Sequence, residues 1–335
     1  MKRRTARAGL VLAVLSFPAS AHHGVAGLGA AALDGPGAPI EQSSSATLPE
    51  GMAFAYFKVD YADWKTYTRA KDDEGDYSVF WMAGLGYGIT PWLSVYAFLP
   101  YHEKVDEDGW HNTYGFADMA VNATLGFKYD DGFRLVPARE SLDDLEDWHF
   151  TVYAGATLPT GDPNLRDPDG NIDKGKSTGF GKPAWTLGAT ASKMLGERTT
   201  LNFDVSNLWF QEYTYDADPA HGDERFTGQF GDEFRVNAAV IYKLYAHTEQ
   251  RFRLDGLVEL NYLRLGRDRE DGVAERATGG DILYVMPGVR AYWDDLSFAL
   301  GVKLPAWIDL NEEDAQQGAE GKEEYRVILS VSALF

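Results

Sequence analysis

From Met52 to Phe335 apolar and polar residues alternate with a period of two, in segments of about ten residues separated by breaks rich in Gly, Pro and Asp. The last segment shows the pattern most plainly. Tyr325, Val327, Leu329, Val331, Ala333 and Phe335 share one face, while Arg326, Ser330 and Ser332 lie on the other beside Ile328 and Leu334. Ala117 to Tyr129 and Phe234 to Leu244 repeat it, each with one apolar face and one that carries charge. The pattern predicts twelve strands, near 52–61, 77–89, 92–101, 116–129, 148–158, 184–194, 200–210, 233–244, 251–263, 282–293, 296–304 and 325–335.

The connections alternate too. Thr90-Pro91, Gly196 to Thr199, Ala246 to Gln250 and Asp294-Asp295 are short, whereas 62–76, 102–115, 159–182, 211–231, 264–281 and 305–323 are long. An even strand count with short turns at one end and long loops at the other implies an all-β fold: a single antiparallel transmembrane β-barrel with periplasmic N- and C-termini and long extracellular loops. Only 130–147 breaks the rule, and its stretch from Ser141 to Asp147 reads as a short helix. Tyr87, Trp92, Tyr129, Trp148, Trp185, Tyr242, Trp293 and Phe335 fall near strand ends, where interfacial aromatic girdles sit. A soluble sandwich also alternates, but it turns its apolar face inward and lacks one-sided loops.

Ahead of the strands, Lys2, Arg3, Arg4 and Arg7 precede an apolar run to Phe17 and a small-residue cleavage site at Ala19-Ser20-Ala21, the layout of an export signal over 1–21. Residues 22–50 are rich in Gly, Ala, Ser and Pro with neither helical nor strand period, an irregular leader; the barrel takes 51–335. The acidic excess, 51 Asp and Glu against 31 Lys and Arg for a net charge of -20, excludes nucleic acid as a partner. Having no cysteine, the chain has no disulfides, thiolate metal sites or lipidated-cysteine anchor.

If the apolar face meets lipid, the opposite face lines a lumen. It then carries Asp118, Asn122, Lys128, His149, Tyr153, Asp204, Arg235, Lys243, Asp255, Glu259, Asn261, Arg290, Lys303 and Arg326, with Arg235 and Lys243 expected to pair across to Asp255 and Glu259. Twelve strands enclose a narrow bore. Inward glycines such as Gly84, Gly86, Gly88, Gly126, Gly288 and Gly301 either widen it or admit another backbone, and part of Gly24 to Ile40 is expected inside as a plug.

The long loops carry acidic groups at Asp72-Asp73-Glu74, Asp106-Glu107-Asp108, Asp268 with Glu270 and Asp271, and Glu312-Glu313-Asp314, which suit divalent bridging to lipopolysaccharide. Asp167, Asp169, Asn171 and Asp173 stand at oxygen-ligand spacing for Ca²⁺, although Gly170 and Thr178 depart from the EF-hand pattern. His22 and His23 at a cleaved terminus would suit Cu²⁺ or Ni²⁺. Otherwise no cofactor is expected. Seven histidines, no HExxH, no GxSxG and no phosphate loop argue against an enzyme, and His149 is followed by Phe-Thr-Val rather than a phospholipase motif.

Gly84-Leu-Gly-Tyr-Gly-Ile-Thr-Pro-Trp-Leu-Ser-Val-Tyr-Ala-Phe-Leu-Pro-Tyr101, Gly115-Phe-Ala-Asp118, Thr157-Leu-Pro-Thr-Gly-Asp162 and Ser177-Thr-Gly-Phe-Gly181 resemble the outer-membrane family named for the MetA pathway of phenol degradation. The resemblance covers 77–194 and implies passage of small, often aromatic compounds. The expectation is therefore a channel or transporter for small organic solutes in the outer membrane of a Gram-negative bacterium. Outer-membrane lipid surrounds it, and the barrel-assembly machinery is engaged through the strand ending at Phe335. A metal-associated outer-membrane protein and a structural or adhesive surface barrel are the alternatives.

Overall fold

The computed structural model describes residues 37–64, 75–106, 109, 111–139, 146–311 and 322–335. Twelve long strands form the wall: β1 (Ala53–Trp64), β2 (Gly75–Thr90), β3 (Leu93–Asp106), β4 (Met119–Tyr129), β5 (Trp148–Leu158), β6 (Ala184–Leu195), β7 (Thr199–Trp209), β8 (Glu233–His247), β9 (Phe252–Leu265), β10 (Gly280–Trp293), β11 (Leu296–Leu310) and β12 (Glu323–Leu334). Each pairs antiparallel with its chain neighbours, and β1 pairs β12 from Phe54 opposite Leu334 to Trp64 opposite Glu323. The sheet closes on itself and leaves no edge, the arrangement a sheet needs where no water can take its amides.

The two faces are the reverse of a soluble protein's. Leu85 is 65% exposed and Leu329 50%, whereas Lys58 is 2% and Arg326 3%. Phe57, Val205, Val240, Leu260, Leu300 and Val331 continue the apolar outer surface around the wall. Exposed rings gather at its two rims, with Tyr87, Tyr129, Tyr242 and Trp293 at the short-turn end and Trp185, Trp209 and Trp307 at the long-loop end. No helix among the described residues is long and apolar enough to cross a membrane; this chain crosses with strands.

Two details differ from the periodicity. β2, β3, β8, β10 and β11 outrun their expected limits, mostly toward the long loops, and exceed the 9–11 residues that span a bilayer. That extension moves His102 from a loop onto β3, where its ring lies 4.8 Å from that of Phe80. The strand expected over 116–129 is broken: Thr113–Phe116 pairs with β3, the chain leaves the ladder at Ala117 and Asp118, and β4 resumes at Met119. The export signal, the leader through residue 36, the acidic clusters at 72–74, 107–108 and 312–314, and most of the expected helix at 141–147 lie outside the described residues.

Candidate functional site: the lumen and the segment inside it

Upstream of β1 the chain runs within the barrel. Ile40 packs among Ala239 and Ile241 of β8, Leu257 of β9, Met286 of β10, Ala299 of β11 and Ile328 of β12. Leu48 packs among Phe54 and Tyr56 of β1, Tyr96 and Phe98 of β3, and Leu334 of β12. Of the plug expected from Gly24 to Ile40 only 37–40 is described, and the segment inside continues to the buried Leu48, with Pro49 exposed at the mouth against Gly88. Glycines make the approach possible. A Cβ on Gly288 would lie 2.6 Å from Ile40 Cδ1, and one on Gly88 would overlap the Pro49 carbonyl oxygen.

Polar bonds fix the segment from every side. The Glu259 carboxylate accepts the amides of Ile40, Glu41 (3.3 Å) and Gln42 (3.4 Å), three successive backbone donors closing on one anion. Arg290 Nη2 donates to the Pro39 carbonyl at 2.6 Å, and Lys303 Nζ meets Glu41 Oε1 at 2.8 Å. Asn202 Nδ2 donates to Ser43 O at 2.9 Å, and Ser94 Oγ accepts the Leu48 amide at 2.8 Å.

Of the wall residues named from the sequence, all but Asp118 are found at the inner face or its rim. Asn122, Lys128, His149, Tyr153, Asp204, Asp255, Glu259, Asn261, Arg290, Lys303 and Arg326 are buried, and Arg235 and Lys243 half-buried. The pairing differs from expectation. Arg235 lies opposite Leu263 and binds Glu233, while Lys243 lies opposite Asp255, whose oxygen is taken by Arg253 at 2.7 Å. Both partners sit two residues along the same strand, on the same face, within reach of a long arginine. Lys58 and Asp60 repeat the arrangement at 3.2 Å, and Arg326 bridges Asp60 (3.0 Å) to Glu323 (3.1 Å). Lys128 pairs with Asp147 at 3.1 Å near the short turns. Such buried charges are matched by mutual pairing.

The inner face is not polar throughout. Across β1, β2 and β3 it carries Phe54, Tyr56, Phe80, Met82, Tyr96 and Phe98, with ring centroids 6.1–6.3 Å apart for Phe54, Tyr56, Tyr96 and Phe98. Alternation alone missed this half because its inward and outward positions are both apolar; the even numbering of Phe54, Tyr56 and Lys58 was the available signal. On the polar side, beyond the segment toward the long loops, a cavity of about 40 Å³ lies between Glu41, Gln42 and Ser43 and the wall residues Tyr153, Asp204, Asn237 and Asn261. It has room for roughly three waters.

Asp118 does not line the bore. At the break before β4 its carboxylate accepts the amides of Gly161 and Phe180, each at 2.8 Å, while the Asp162 amide donates to Thr178 Oγ1 at 2.9 Å. Three of the stretches that carry the family resemblance thus meet in one knot that pins the loop between β5 and β6. Beyond it, Tyr213–Thr214, Thr227–Gln229, Arg269–Glu270 and Val273–Ala274 form a small sheet joining two more loops. Lys174 reaches Glu270 and Glu275, each at 2.6 Å, and His221 stands between Asp218 (2.6 Å) and Glu270 (3.2 Å). Burial opposes charge on His221, but those two carboxylates outweigh it and hold its pKa above the ordinary histidine value.

The Ca²⁺ candidates fold differently from a coordination loop. Asp167 accepts both the backbone and side-chain amide of Asn171, at 2.8 and 3.1 Å, and Asp173 accepts the Lys176 amide at 2.9 Å. Among the described residues no group of three His, Cys, Asp or Glu side chains is placed to hold a metal, Asp169 included; His22 and His23 lie outside them.

No family model matches the chain, and no curated protein matches it. Among solved structures it is similar to an outer membrane channel from Pseudomonas putida F1, at 15% identity and a TM-score of 0.66 over 89% of this chain and 100% of that one. The NanC porin aligns at 8% identity with a TM-score of 0.44 over 83% of this chain and 98% of its own. The β domain of the Bordetella autotransporter BrkA aligns at 10% with a TM-score of 0.45 over 85% and 100%. The first likeness shows the fold to be that of an outer-membrane β-barrel.

Proposed function

We propose that this chain is a channel for small solutes in the Gram-negative outer membrane, held shut in this state by residues 37–49. One observation carries the proposal: a separate piece of chain sits in the bore and is bound to the wall largely by hydrogen bonds and ion pairs. Polar contacts exchange for water when such a segment leaves, so it can depart at a smaller net cost than a hydrophobic core element. The apolar outer surface is the contact for lipid, and the acidic loops face the lipopolysaccharide. Small aromatic compounds are the solute class that the sequence resemblance implies, and the ring-lined half of the bore formed by Phe54, Tyr56, Tyr96 and Phe98 supports them.

Planar-bilayer recordings on the full chain and on a form lacking residues 37–48, with and without phenol, test the proposal. Brief openings of the full chain and a steady conductance of the shortened form are expected, with phenol altering the current. Equal conductance of the two forms would contradict closure by this segment. A purely structural surface barrel is favoured by the depth at which Ile40 is buried, and it predicts that the full chain never opens.

A further inference from the structure

Ile40 and Glu41 are neighbours in the chain, and they offer the wall two different groups. The Ile40 side chain fills a pocket of Ala239, Ile241, Leu257, Met286, Ala299 and Ile328, floored by Gly288 and Gly301. The Glu41 carboxylate reaches Lys303, whose Nζ lies 4.1 Å over the Tyr284 ring. Among the described residues Glu41 is the only carboxylate paired with Lys303, since Asp60 and Glu323 are taken by Lys58 and Arg326. Arg290 gives its Nη atoms to the Pro39 carbonyl and to Ser297 Oγ, and neither to a carboxylate.

When the segment leaves, both cations lose the acceptors it supplied. Of the wall charges it holds, Lys303 and Arg290 then stand against Glu259, one positive charge in excess beside a vacated apolar pocket. A cation set in a protein wall without a partner is costly, so an anion that reaches it is bound well. We propose that Ile40 and Glu41 stand in for the solute, and that the site they vacate takes an organic carboxylate with an apolar body. Its carboxylate replaces that of Glu41 on Lys303, and its body fills the pocket of Ile40. The proposal rests on the channel reading and adds the chemistry of the solute. Seating of the segment and binding of the solute exclude one another, so such a solute opens its own path.

The test uses the full chain folded in detergent at neutral pH with Ser45→Cys as reporter, because the buried position 45 meets a maleimide only when the segment unseats. Benzoate and isovalerate are expected to raise the labelling rate, about tenfold at ten times their dissociation constant from the unseated form. Benzamide, of similar shape without the charge, and acetate, with the charge but no apolar body, are expected to leave it unchanged. Lys303→Met should abolish the response. Glu41→Gln, which removes the competing charge, should lower the half-effective benzoate concentration about tenfold. A response to benzamide or acetate equal to that of benzoate, a benzoate response that persists in Lys303→Met, or none in either the parent or Glu41→Gln would overturn the site. Conductance of the form lacking 37–48 is read separately: if it conducts while benzoate leaves labelling unchanged, the carboxylate site alone fails, and if it does not conduct, the channel reading fails.

Discussion

Glu259 is the single wall residue that grips the segment hardest, and its replacement by alanine is the sharpest perturbation. The carboxylate is fully buried and takes three backbone amides, one short and two at 3.3 and 3.4 Å. Counting one full charge-assisted bond and two weak ones, the variant loses about 3 kcal/mol of docking free energy. At about 1.4 kcal/mol per tenfold, that raises the ratio of unseated to seated segment roughly a hundredfold. Glu259→Gln keeps a carbonyl acceptor without the charge and is expected to raise it by about tenfold. The chain has no cysteine, so Ser45→Cys, buried in the bore at 3% exposure, supplies a single reporter whose maleimide labelling rate follows the unseated fraction. Single-channel openings should become more frequent in the same order. Unchanged labelling in a Glu259→Ala barrel that still migrates as folded would refute the reasoning and assign the hold to Ile40 and its cluster.

Gly88→Val places a side chain where the Pro49 carbonyl now lies, so labelling at position 45 should rise while β2 and β3 stay paired, checked by the heat-modifiable shift on gels. Asp118→Ala removes the acceptor of the Gly161 and Phe180 amides; protease cleavage between β5 and β6 should appear with the barrel intact. The loop latch at His221 is pH-dependent. Its folded pKa is raised, so its contribution is complete below the ordinary value of about 6.5 and is lost as pH climbs through the raised one. Trypsin sensitivity at Arg225 and Arg269 should therefore increase on the alkaline side, and His221→Gln should remove that dependence. A flat profile in the unmodified chain would dismiss the latch.

The strands were legible because lipid imposes one simple rule on them: alternate positions along β8 and β12 must be apolar, and the register of a closed barrel follows. Strand ends were less so, since β3 continues past its expected limit, where His102 packs on Phe80, and a register shift opposite Leu283 and Tyr284 changes the phase of β11 before Trp307. Asp118 looked like another inward charge by phase; only the three-dimensional meeting of Gly161, Phe180 and Thr178 shows why the strand breaks there. The ion pairs were misassigned because same-strand neighbours such as Arg253 and Asp255 compete with cross-strand ones, a choice made by side-chain length rather than by sequence period. Glycines at 88 and 288 hinted that another backbone comes close, but no periodicity in the leader marked Ile40 as the residue that fills the bore.

Movement of the segment is the premise on which the channel reading rests, and a reversible tether tests it most directly. In a chain carrying Ser43→Cys and Asn202→Cys, the two positions joined by the Ser43 carbonyl bond, a short methanethiosulfonate cross-linker ties segment to wall. The openings of the full chain are expected to vanish on cross-linking and return on reduction. Currents that persist through the tethered state would show that solutes pass with residues 37–49 in place, and closure by this segment would be wrong.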